Sequence, residues 1–316
     1  MLLWTANSIL LLFVLFHVAV PASALSSDPR LIQMVPPESR VVAGMITPTP
    51  EGQPSGVLFI TGNNRMDLED FYAVTGADAS RQIHQVVFVS AAGSKGRLGE
   101  HSLLINGHFN RNTIFRFSGG GNARVETYRG ESILVVPPLT RERGRFNEVR
   151  WLAILKSDIA VFGTQIIVQQ ELDRQIANSP PDPILLERLG RLDRRDEIWC
   201  LLPAPSPGGL IERALEMVDP KLGAIAREGR SMQYGIHFGN HVEITASSND
   251  VASEISNFED DQFGAHSVPT RSFLGDSPGG GDDGKMTTVK ISRRRYAACL
   301  EEFSRGGLMT GGTLPH

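Results

Sequence analysis

His237 and His241 stand four residues apart, and Glu243 follows two further on. On a helix that spacing puts two imidazoles on one face, where they can ligate a metal ion. Gly239 and Asn240 lie between them, however, and favour a hairpin turn, so the pair flanks a turn. His101 and His108 bracket a second candidate strand in the same way. Brought together, these four imidazoles and the Glu243 carboxylate would form a zinc or copper site able to activate water. Nothing in the spacing brings the two hairpins together, and imidazoles at the solvated ends of strands are the simpler reading.

The other chemistry-bearing runs are incomplete. Gly279-x4-Gly284-Lys285 has the outline of a phosphate loop, but Met286 stands where Ser or Thr must hold the metal. Asp282 and Asp283 would also repel phosphate. No Gly-x-Ser-x-Gly elbow surrounds Ser118 or Ser304, and neither cysteine has a base beside it in sequence. Glu259-Asp260-Asp261 lacks the alternating oxygens and turn glycine of a calcium loop. Arg293-Arg294-Arg295 opens a helical pattern at the end where the helix dipole disfavours cations. An anionic partner, such as lipid headgroups or polyanionic wall material, would account for that run, and so would a solvated face. No catalytic residue and no cofactor is therefore expected. The metal candidates are His101, His108, His237 and His241. Cys200 and Cys299 either lie buried as thiols or pair, closing a loop of about 100 residues that would stabilise by roughly 4–5 kcal/mol.

The elements that would position these groups begin after a leader. Residues 2–25 carry no Asp, Glu, Lys or Arg, and Ile9–Val20 is nearly unbroken hydrocarbon. A small-x-small site ends at Ala24, the layout of a secretory signal cleaved there. The first basic residue is Arg30, so the usual N-terminal charge is missing, and an uncleaved anchor is the alternative. Residues 25–39 read as a linker. A first α+β domain then spans 40–178, with strands at Arg40–Ile46, Val86–Val89 and Leu103–Phe109. Its helices fall at Asp67–Thr75, Asn110–Phe117 and Gln165–Ala177. Val125–Tyr128 and Ile133–Val136 form a hairpin, as do Trp151–Leu155 and Ile159–Phe162. Pro180, Pro181 and Pro183 mark a linker over 179–196. A second α+β domain covers 197–305, with strands at Ile198–Leu202, Met232–Phe238, Val242–Ala246 and Thr287–Ile291. Its helices are Leu210–Val218, broken at Pro220, one capped by Asn249, and Arg293–Phe303. The loop 264–284 and the tail 306–316 are expected to be disordered. The order of elements predicts two ferredoxin-like βαββαβ halves with antiparallel sheets, the first extended by a β-β-α unit, an internal duplication of wiring.

Composition narrows the function classes. Lys+Arg (31) and Asp+Glu (35) nearly balance, which argues against a general nucleic-acid binder. Phe71-x3-Thr75-Gly76-x-Asp78 leading into Ile83-x2-Val86-Val87, with Phe162-Gly163-Thr164 before Gln165–Arg174, resembles uncharacterised exported bacterial proteins with repeated α+β halves. The resemblance covers mostly residues 67–177. It implies an exported α+β protein and attaches no activity to any residue. Three functions follow as expectations. The first is a periplasmic or secreted, non-catalytic envelope protein that binds or scaffolds an unknown protein or envelope component. The second is a membrane-tethered accessory factor of an envelope complex, which touches the membrane only if residues 1–24 are retained. The third is a metal-dependent hydrolase built on the histidines.

Overall fold

The structure, a computed structural model, describes residues 27–46, 65–77, 82–91, 100–118, 123–138, 149–203, 210–228, 231–249 and 286–299. The leader, the Gly279–Lys285 motif, Glu259–Asp261, the helix expected after Asn249, the loop 264–284 and the tail 306–316 lie outside the described residues, apart from Asn249 itself.

Eleven strands make one sheet: β1 Val41–Ile46, β2 Ile83–Ser90, β3 His101–Gly107, β4 Arg124–Tyr128, β5 Glu131–Val136, β6 Arg150–Leu155, β7 Ile159–Gly163, β8 Ile198–Pro203, β9 Ser231–Phe238, β10 Val242–Asn249 and β11 Met286–Ile291. Their order is β11-β10-β9-β8-β1-β2-β3-β7-β6-β5-β4. Every neighbouring pair is antiparallel. The α+β composition and the antiparallel pairing match the sequence reading. The two ferredoxin-like halves do not emerge. That fold inserts its third strand between the first two, whereas here β1 pairs directly with β2 and β8 directly with β9. The two halves also fuse, because Val42–Met45 of β1 pair with Leu201–Ile198 of β8. The expected break at 179–196 is therefore no break in the sheet. From the β1–β8 pair outward, β1-β2-β3 and β8-β9-β10 run as matching sets of consecutive antiparallel neighbours.

Both expected linkers contain helices. Asp28 caps α1, Pro29–Met34, by accepting from Arg30 N, and Asp182 caps α5, Pro183–Gly190, by accepting from Ile184 N. In each, proline fills the first helical turn, where its missing N–H costs nothing. Asp219 caps α7, Pro220–Glu228, in the same manner through Lys221 N. The remaining helices are α2 Arg65–Thr75, α3 Arg111–Ser118, α4 Gln165–Ile176 and α6 Leu210–Val218, with residues 293–299 also helical. Asn110 Oδ1 caps α3 through Thr113 N, and Gly76 ends α2 at φ +65, a conformation that glycine adopts without strain.

Alternation along the strands divides the core into two layers. One sheet face presents Met45, Phe88, Leu103, Leu152, Cys200, Tyr234 and Ile244, and it packs with Phe71 of α2, Ile114 of α3, Leu215 of α6, Leu222 of α7 and Tyr296. The other presents Val42, Val87, Leu104, Trp151, Val161, Trp199 and Leu201 beneath Leu31, Ile32 and Met34 of α1, Ile167 and Leu172 of α4, and Leu185 and Leu189 of α5. The apolar part of the second layer ends at β8, while Arg188 of α5 reaches on to Met232 O of β9, where Ser231 and Gln233 stay buried. Among the described residues, no helix on this side packs on β10 or β11.

Candidate functional site

That flank carries a ladder of polar side chains, buried along β9 and open on β10 and β11, placed by the register of three strands. His237, Glu243 and Lys290 lie side by side across β9, β10 and β11, Gly235, Thr245 and Thr288 form the next rung, and Gln233, Ser247 and Met286 the third. The opposite faces of these strands carry Ile236, Ile244 and Val289 into the core. Alternation therefore splits β10 and β11 between core and water, whereas β9 is buried on both faces except at His237. Lys290 Nζ donates to Glu243 Oε1 at 2.7 Å, and the Thr245 and Thr288 hydroxyls are 3.1 Å apart.

The run before β8 adds acids to the end of this ladder. His237 Nδ1 lies 3.1 Å from Glu197 Oε2 and 2.8 Å from Arg195 O, and Glu197 Oε2 also accepts from Phe238 N. The Arg195 side chain and backbone N–H hold the Asp193 carboxyl at about 2. Burial, reinforced by the neighbouring Asp193 charge, pushes Asp196 up to about 7. Asp196 is only 2% exposed, and a Cβ on Gly235 would meet its Oδ2 at 1.8 Å. Glycine is required at 235 because the carboxyl occupies the space a side chain would fill. Gly235→Ala is expected to cost about 1–3 kcal/mol as an overpacking change. Asp196→Ala in the same chain should remove most of that cost, and a double-mutant cycle in urea checks the coupling.

The sequence-chosen histidines do not converge. His101 starts β3, with Arg150 Nη2 3.1 Å from its Nε2. His108 follows β3 and packs its ring against His84, centroids 4.7 Å apart. His237 is in β9 and His241 in the exposed turn beyond it. The strands β3 and β9 are separated by β2, β1 and β8, so their axes are about 19 Å apart at ordinary strand spacing. No group of three or more His, Cys, Asp or Glu able to hold a metal occurs among the described residues.

Cys200 and Cys299 are both thiols. Cys200 is sealed in the core, where burial pushes it up to about 12, and Cys299 Sγ donates to Met217 O at 3.6 Å. The triple arginine also has a structural use. Arg293 donates to Gly239 O and Arg295 to Val218 O, tying residues 293–299 to the β9–β10 turn and to the end of α6.

Asp196 and Glu197 were missed as site residues because the sequence shows only a charge-laced run over 188–197. A signal was nonetheless present: an acidic pair directly before a fully apolar strand must sit at that strand's end.

No protein-family model matches the chain, and no curated protein matches it. Among solved structures it is similar to crystal form I of TP0453, a Treponema protein, at 14% identity over 88% of this chain and 98% of that one, with a TM-score of 0.42. Crystal form IV of the same protein gives 12% identity over 87% and 97%, again at 0.42. Likeness at that level identifies neither a family nor an activity.

Proposed function

We propose that this chain is an exported, non-catalytic envelope module that binds a protein partner through the polar ladder of β9, β10 and β11. The observation that carries the reading is the asymmetry of the sheet. Helices bury one face across both halves, yet on the other side the apolar layer ends at β8, β9 is buried except at His237, and Glu243, Thr245, Thr288 and Lys290 of β10 and β11 are left in or near solvent. A flat face of hydroxyls with paired charges suits a wet, polar protein interface, where direct and water-mediated hydrogen bonds set register.

Photocrosslinking from Thr245 and Thr288 in intact cells tests the reading. A discrete adduct from both positions, and none from Glu126 on the opposite edge strand β4, is expected. No adduct, or equal adducts from all three, overturns it. Export is tested separately by intact mass. A mature chain beginning at Leu25 is expected, and a species that keeps Met1 favours the tethered alternative. Among the described residues no helix is long and apolar enough to cross a membrane.

A further inference from the structure

Beneath α4, on the sheet face shared with α1 and α5, lies a carboxyl with no charged partner among the described residues. Glu171, in α4, is 0% exposed. Ser102 of β3 donates its hydroxyl to Glu171 Oε1 at 2.5 Å. Glu171 Oε2 is buried with no hydrogen-bond partner, and so is Gln175 Oε1, four residues on along the same helix face. An ionised carboxyl would leave Oε2 a charged acceptor with no donor in a buried site. A hydrogen on Oε2 removes that charge, and burial of the group then costs far less.

Charged groups on the elements packed around Glu171 all engage elsewhere. On α4 itself, Asp173 accepts from Tyr128 and pairs with Arg129, and Arg174 donates to Gln33 O and Pro180 O. On β3 and β6, His101 and Arg150 lie together on the other face of the sheet. On α1, Arg30 pairs with Asp28 and Asp158. Burial accordingly pushes the Glu171 carboxyl up to about 8, against the pull of the Ser102 hydrogen bond.

Docking of α4 also holds α1. Arg174 grips Gln33 O at 3.0 Å, Gln33 donates to Asn178 at 2.9 Å, and Leu31, Ile32, Met34 and Val35 of this short segment are all buried beside α4. We propose that Glu171 is a proton-held latch, so that α4 and the N-terminal strap 27–35 stay docked on β3, β7 and β6 while its carboxyl keeps its hydrogen and release together as that proton passes to solvent. The opened state ionises near the ordinary glutamate value, and the docked state does so only near 8. Opening therefore becomes about tenfold easier per pH unit between roughly pH 5 and 8, and levels off above.

Hydrogen exchange on the full chain, corrected for intrinsic chemistry, tests this in an Asp196→Asn background, which silences the other raised carboxyl. The amides of 165–176 and 27–35 should show opening constants rising about tenfold per pH unit from 5 to 8, while those of 210–228 on the far face do not follow. Glu171→Gln should abolish the rise. An unchanged slope in Glu171→Gln, or a flat profile in the parent, overturns the proposal. Should Glu171→Gln fail to fold, the parent's infrared spectrum decides. A protonated-carboxyl stretch persisting at pH 7 and lost by pH 9 supports the latch, and its absence at pH 6 overturns it.

Discussion

Trp199→Ala is expected to lower the free energy of unfolding by about 3–5 kcal/mol, the range for removing a large aromatic side chain from a close-packed interior. Trp199 is 1% exposed. Its two register partners are both glycine, Gly44 in β1 and Gly235 in β9. A Cβ on Gly44 would meet the indole at 2.2 Å, so the ring lies flat over β1 where the two sets of strands join. Its Nε1 donates to Ser27 Oγ at 3.1 Å, which fastens the strap ahead of α1. Alanine would leave a void that neither glycine can fill. Trp199→Phe should cost less, because it keeps part of the packing and loses the hydrogen bond, worth about 1 kcal/mol. Urea midpoints at constant slope measure both changes. A Trp199→Ala loss below about 1 kcal/mol would show that the ring does not join the halves.

The second large effect is on pH dependence. Glu171 shifts from an ordinary 4.5 to about 8 because burial disfavours its charge. A folded-state value raised above the unfolded one means the folded chain binds the extra proton. Its contribution is then fully present below about pH 4.5 and is lost as pH rises through about 8. The shift corresponds to at most about 5 kcal/mol across that window. Asp196, raised by burial to about 7, acts with the same sign and finishes losing its contribution earlier. Wild-type stability should therefore fall from pH 5 to 8, and Glu171→Gln should flatten the upper part of the fall, between pH 7 and 8. Equal slopes in the two proteins there would show that Glu171 is ionised in the fold.

Most individual elements were legible from periodicity, since alternation and the three-to-four spacing report burial directly. Proline misled the reading at Pro183. Pro183 was taken as a linker signal, although it follows an aspartate that caps a helix, and Asp28-Pro29 and Asp219-Pro220 show the same device. An Asp-Pro pair followed by apolar residues three and four apart starts a helix at least as readily as it breaks a chain. Spacing alone could not place the histidines relative to one another, for another reason. Each hairpin was recognised, but the distance between hairpins depends on strand order, which local pattern does not encode.

Residue order by itself determined which segments alternate, which turn and where helices are capped, because those outcomes depend on neighbours within a few positions. It also determined a near balance of 31 basic and 35 acidic residues. Only the tertiary structure decided that β1 pairs with β8, so that two expected domains share one sheet. It alone brought Ser102 to a buried Glu171, and it alone ended the apolar second layer at β8. Strand partnership and layer coverage depend on contacts between residues far apart in the chain, and competing pairings of apolar strands differ too little in local preference for sequence pattern to choose among them.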